Sequence, residues 1–327
     1  MRVLIVVVIL LSLPGQVRAE VRLGRTIMSF ATVEEGKQVL TSRDDYVERM
    51  SAFDRAARLK TDKVVPEREY LEFVGKNVVA WEEAEKEKIY LAMEEVEEVL
   101  KKMALPFPEK IWLIKTTGKE EGNAAYTRAN AIVFPRSFLE GGVRWVQRVL
   151  CHELFHVLSR ANRELREKCY AVIGFERCEE LEFPEELAGR KLTNPDAPRN
   201  EHCLNVKIDG KGRWVIPILF SREEKYDPEK GGEFFRYLQF KLVVVERAEE
   251  GMGVEVVREG GKAKLLDTGE VTGFLEQVGE NTTYLIHPEE ILADNFVLLV
   301  TGKRDVPSPG VVEKLGKILA GEKQADG

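Results

Sequence analysis

The stretch 149-VLCHELFHVLSR-160 decides how this chain is read. It carries His152, Glu153 and His156 in the order H-E-x-x-H, and it uses two of the chain's four histidines. The apolar neighbours Val149, Leu150, Leu154, Phe155, Val157 and Leu158 predict a buried helix. Helical residues four apart share a face, so His152 and His156 can aim two imidazoles at one ion. Glu153 is turned by about 100° from His152 and flanks that ion instead of joining the row. A general base that activates water belongs there, and zinc is the ion such a set suits. The blander account is a helix whose histidines make ordinary hydrogen bonds, since three fixed residues in five recur by chance. Against it, polar groups set into an apolar helix need partners.

A catalytic zinc takes three protein ligands and keeps a fourth position open. No third histidine follows nearby, because positions 162 and 166 hold Asn162 and Arg166. Glu176 is available, but it stands in an acid-rich stretch where spacing says little. The segment 287-HPEEILADNF-296 offers more. Pro288 suits a first helical turn, and Glu290 and Asp294 then fall four apart on one face. Glu290 is the expected third ligand. Asp294 is the expected hydrogen-bond partner of a ligand histidine's free nitrogen, a contact that fixes the tautomer. Glu289 and Glu176 remain alternatives to Glu290, and an acid pair at a helix N-terminus is also favoured by the dipole alone.

HELFH followed by E-x-x-A-D-x-F resembles the gluzincin-type zinc metallopeptidases and similar bacterial secreted zincins. In that family H-E-x-x-H lies on one helix and a Glu on a later helix completes the site. Thermolysin-like members carry an Asp four residues after that Glu, the spacing of Glu290 and Asp294. The resemblance rests on these two short segments. It implies a zincin-like fold and hydrolysis of peptide bonds, with Glu153 as general base and a Tyr or His stabilising the oxyanion. Tyr170 and His287 are the named candidate donors, with Tyr126 and Tyr284 also available. His287 directly precedes the Glu helix and suits a cap equally well.

The bulk numbers fit a soluble globular protein. Of 327 residues, 44% are hydrophobic and 32% charged, which permits a sizeable core. Met1–Arg2, the apolar run Val3–Leu13 and Ala19 read as a secretory signal peptide over residues 1–19. Its removal takes away Arg2 and Arg18 and moves the net charge from −7 to −9. Such a surface repels nucleic acid, and no membrane span is expected after cleavage. The expected place of work is secreted or periplasmic, and the expected partner a peptide or protein substrate. Cys151, Cys169, Cys178 and Cys203 allow three pairings, and sequence chooses none. No C-x-x-C pair suggests a cysteine zinc cluster.

The expected fold class is α+β. After the signal segment, residues 20–105 read as helical, with 20–34 extended and irregular and helices over 44–60, from Pro66, and over 78–103. Residues 106–201 read as the zincin core: strands over 110–116 and 124–134, then the H-E-x-x-H helix. Arg128 and Asn130 would share one face of the second strand, whose free edge can pair with a peptide. Asn194-Pro195-Asp196 reads as a turn. Residues 202–327 read as a β-rich segment with a hairpin at Asp209–Gly212, followed by C-terminal helices over 288–299 and 310–319. The leading function is a secreted zinc metallopeptidase. A metal hydrolase acting on a non-peptide amide and an inactive zincin-fold binding protein are the alternatives.

Overall fold

The computed structural model of the chain describes residues 20–248 and 251–321, so the expected signal peptide lies outside the described residues. The architecture is mixed α+β, built among the described residues on two large sheets and a small two-stranded one, Arg258–Glu259 with Lys262–Ala263. The first uses β1 (Glu20–Leu23), β2 (Thr26–Phe30), β3 (Lys110–Thr116), β4 (Tyr126–Arg128) and β5 (Ala131–Pro135) in the order β1-β2-β3-β5-β4. The strands β2, β3 and β5 are parallel, and β4 closes the edge antiparallel to β5.

Helices cover both faces of this sheet. On one side lie α1 (Val33–Leu40), α2 (Asp45–Arg49), α3 (Ala52–Arg58) and α4 (Glu67–Asn77). On the other lie α5 (Glu83–Met103), α6 (Arg136–Glu140) and α7 (Val143–Ala161). The period-two alternation of the strands sorts the two cores. Ile111, Leu113, Ile132 and Phe134 pack with α5 and α7, while Ile114, Ala131 and Val133 pack with the N-terminal helices.

Then follow α8 (Arg163–Val172), β6 (Phe175–Arg177), α9 (Glu185–Ala188), β7 (His202–Ile208), β8 (Lys211–Ser221), β9 (Leu238–Arg247) and β10 (Val254–Val256). The strands form an antiparallel sheet ordered β10-β9-β8-β7-β6, with Leu265–Leu266 also paired to β9. Asp209 and Gly210, at φ 50° and 76°, make the tight turn of the expected β7–β8 hairpin. Last come α10 (Phe274–Val278), α11 (Pro288–Val300) and α12 (Pro309–Leu319). Helix α11 packs on α7, and Leu150, Leu154 and Phe155 share a core with Ile291, Leu292 and Phe296. That crossing brings the two motif segments together.

Local structure departs from expectation in four places. Residues 20–30 form a hairpin in the main sheet, so the N-terminal region supplies two of its strands. The expected helix over 44–60 breaks at Met50, because Ser51 and Asp54 form a capping box that starts α3 afresh. The long helix begins at Glu83, not Val78: Val78 bridges to Thr116 and the Val79 N–H donates to Lys115. The expected strand over 124–134 folds back at Ala129–Asn130, with Ala129 at φ 50°. Arg128 and Asn130 therefore share no strand face. Arg128 is buried against Asp44, and the Asn130 amide donates to the Lys110 carbonyl. All four cysteines are buried free thiols. No helix among the described residues is long and apolar enough to cross a membrane.

Candidate metal centre

Both motif histidines turn the same ring atom toward Glu290. His152 Nε2 lies 3.1 Å from Glu290 Oε2, and His156 Nε2 lies 3.6 Å from that oxygen. The histidine rings stand 4.8 Å apart, nearly perpendicular. Zinc bonds of about 2.0–2.2 Å place tetrahedral ligand atoms roughly 3.4 Å from one another. The observed separations bracket that edge.

The other ring nitrogens are held by carboxylates. His152 Nδ1 lies 3.3 Å from Asp294 Oδ1, and His156 Nδ1 lies 2.9 Å from Glu289 Oε1. Asp294 is steadied by Arg148 and Thr282, and Glu289 by the hydroxyls of Ser159 and Tyr170. Glu290 Oε1 accepts from the Asn194 amide at 2.6 Å, which leaves Oε2 for the histidines. Histidine metal ligands characteristically have this outer support, which fixes the tautomer and ring orientation. Pro288 opens α11, so Glu289 and Glu290 both fall in its first turn, about 100° apart. That rotation lets adjacent acids serve opposite nitrogens of His156.

Two polar atoms here are buried without a hydrogen-bond partner among the described residues: His156 Nε2 and Glu153 Oε2. Orphaned buried groups are rare because each forfeits its hydration. Both belong to residues of the cluster that could hold an ion. The titratable groups of the cluster are shifted from their ordinary values by one another and by burial. Burial opposes charge on His152, yet Asp294 and Glu290 outweigh it and hold its pKa up at about 9. Against its own burial, Glu290 is held well below the usual carboxylate range by His156 and His152. Burial, and after it the Asp196 charge, pushes Glu153 up to about 8.

Asp196, read from the sequence as part of a turn, also reaches the cluster. Its carboxylate lies within 4.8 Å of ligand atoms on His156 and Glu290. Its Oδ1 accepts from the Thr127 N–H at 2.6 Å and from the Thr127 hydroxyl at 2.7 Å. The Asn194–Asp196 turn is present, with the Asp196 N–H donating to Asn194 Oδ1. Both polar side chains of that turn reach the centre: Asn194 holds Glu290, and Asp196, bonded to the edge strand at Thr127, comes within 4.8 Å of His156. A local turn signal cannot report such distant contacts.

The remaining candidates separate clearly. The Tyr170 hydroxyl donates to Glu289 and is fully buried, so it is not free for an oxyanion. His287 caps α11, its Nδ1 accepting from the Glu289 N–H at 3.1 Å, and burial lowers its pKa to about 4. Glu176 lies on β6 and pairs with Arg247, away from the cluster. Tyr284 is 42% exposed, and its hydroxyl has no partner among the described residues. With Asn194 and Asp196 it lines an apolar pocket of about 150 Å³ that includes Ala124, Tyr126 and Phe234. Comparison of the chain with protein-family models, curated proteins and solved structures finds no match.

Proposed function

We propose that this chain is a secreted or periplasmic zinc-dependent hydrolase of zincin-like fold that cleaves peptide bonds. The observation that carries the reading is the meeting of His152 Nε2, His156 Nε2 and Glu290 Oε2 beside the unpartnered Glu153 Oε2. An antiparallel edge strand, β4, adjoins the same helix, which also supports it.

His152, His156 and Glu290 would hold the ion. A bound zinc ion supplies a Lewis acid and brings the pKa of water down toward about 7. Glu153 takes the proton of the attacking water through its free oxygen and delivers it to the departing amine. Asp294 and Glu289 keep both imidazoles aimed as the charge moves. Tyr284, with its free hydroxyl, is the better-placed donor to the developing oxyanion, in place of Tyr170 or His287. An extended substrate pairs with β4 and sets an apolar side chain into the pocket under Tyr284.

A second reading, a metal-binding protein without turnover, is favoured by one observation. Asp196 brings a fourth candidate ligand, a carboxylate, to the cluster and already occupies the outward N–H of Thr127. Structural zinc sites are closed in this way by four protein ligands. One experiment separates the readings. Zinc content and cleavage of a peptide library are measured for wild type, Glu153→Gln and Asp196→Asn. Hydrolysis requires a wild type that cleaves and a Glu153→Gln variant that keeps zinc but does not. A zinc-loaded wild type that cleaves nothing, with zinc lost in Asp196→Asn, establishes the closed site instead.

A further inference from the structure

Six buried side-chain nitrogen and oxygen atoms lack a hydrogen-bond partner among the described residues, and they are not scattered. Two belong to the metal centre. Three others, Arg166 Nε, Arg177 Nε and His202 Nδ1, lie on residues lining one cavity of about 570 Å³. It opens past the C-terminal end of α7 and the end of β4, beside the first turn of α8.

Six arginines line this cavity: Arg128, Arg160, Arg163, Arg166, Arg177 and Arg199. Five acids, Asp44, Asp45, Asp196, Glu201 and Glu289, share the lining, so the arginines must be followed pair by pair. Three are neutralised. Arg128 pairs with Asp44, Arg199 with Asp45 and Glu180, and Arg166 with Glu167 and Glu201. The other three have no carboxylate partner among the described residues. Arg160 donates only to the carbonyls of Ala129, Pro195 and Asp196. The guanidinium groups of Arg163 and Arg177 make no hydrogen bond or ion pair among the described residues. The acids on the wall do not compensate, since Glu289 serves His156 and Asp196 serves Thr127.

Clustered guanidinium groups repel one another, and the inner nitrogens of Arg166 and Arg177 have also lost their water. His202 adds to the imbalance. It is 3% exposed, its Nε2 lies 2.9 Å from Glu167 Oε2, and its Nδ1 is orphaned. An oxyanion resolves these deficits together. Arginine forks match carboxylate and phosphate oxygens in bidentate fashion. We propose that this cavity is an oxyanion-binding site, taking a carboxylate or phosphate group between Arg163 and Arg177, with Arg166 and His202 behind them. The proposal does not depend on the metal reading.

Two sources share that chemistry: a free small anion, and an acidic side chain of a molecule lying along β4. Isothermal titration of the full chain at low ionic strength distinguishes them. One arm uses inorganic phosphate, with chloride as control. The other compares N-acetyl-glutamate amide with N-acetyl-glutamine amide. Saturable binding is expected in at least one arm, weakened tenfold or more by Arg163→Gln/Arg177→Gln. Phosphate binding identifies the free anion, and a preference for the glutamate compound without phosphate binding identifies the side chain. Arg163 is exposed, so Arg163→Gln folds regardless and carries the test if the double variant does not. Arg163→Lys should retain part of the affinity. No saturable binding in either arm, or variants that bind as wild type does, overturns the proposal.

Discussion

Glu290→Gln gives the sharpest test of the metal centre. The substitution keeps the volume and the Asn194 contact on one side of the group. It removes the charge whose Oε2 stands 3.1 and 3.6 Å from the two imidazoles. Structural zinc sites with four ligands bind with about 10–16 kcal/mol, roughly 3–4 kcal/mol per ligand. At 1.4 kcal/mol per tenfold, losing one ligand weakens binding by about 10²–10³. Asp294→Asn removes only support to His152, and such changes cost about 10–100-fold. Glu176→Ala touches an exposed pair with Arg247 and should change nothing. Zinc affinity is measured by competition with a chelating dye, and thermal unfolding with and without zinc gives an independent reading. The required order of loss is Glu290, then Asp294, then no effect for Glu176. If Glu290→Gln binds zinc like wild type, or if Glu176→Ala is the damaging change, the assignment of the third ligand is wrong.

Three further outcomes are expected. Tyr284→Phe should lower kcat by about 10²–10³ with zinc affinity unchanged, as loss of one oxyanion donor does; steady-state kinetics on a cleaved peptide checks it. Burial raises the Glu120 pKa to about 7, so the folded state holds this proton more tightly than the unfolded chain. That contribution is complete below about pH 4.5 and is lost as pH rises to about 7, a deficit on the order of 3 kcal/mol, so Glu120→Gln should flatten the fall in urea midpoint between pH 5 and 8. Arg58 is wholly buried between Asp54 and Glu121, and Arg58→Met should cost about 3–5 kcal/mol in chemical denaturation by stranding two carboxylates.

How legible the site was depended on the range of each contact. His152, Glu153 and His156 are fixed by helical geometry alone, and the apolar residues around them announced a buried helix. Glu290 and Asp294 were readable because Pro288 marks the helix start and four-residue spacing sets a face. The role of Glu289 was hidden, since it depends on how α11 crosses α7 and not on any spacing within α11. Asn194 and Asp196 read as a turn, correctly, but the same side chains also reach Glu290 and Thr127 across the fold. The β4–β5 hairpin was hidden for a different reason. Its turn falls at Ala129, an alanine in the left-handed region, inside a run with neither glycine nor proline. The cavity arginines are spread over the chain from Arg128 to Arg199, so no window of sequence shows them as a cluster.

Two acids, Glu153 and Asp196, stand close to His156, and the proposed chemistry needs only one of them as a base. Their surroundings decide between them. A base must keep a lone pair free and aimed at the reacting water. Glu153 meets this condition, since its Oε2 is unpartnered and it rides on the helix that carries both histidines. Asp196 is held differently: its Oδ1 accepts two hydrogen bonds from Thr127 and its loop is anchored by Arg160 at the Pro195 and Asp196 carbonyls, so it is fixed to the edge strand and not to the helix that carries the histidines. A carboxylate tethered in this way to the edge strand sits where a substrate backbone would pair. A peptide that takes the Thr127 N–H must therefore compete with Asp196 for it. Removing that competitor by Asp196→Asn should lower KM if the chain is a peptidase, and should lower zinc content if Asp196 is instead the fourth ligand.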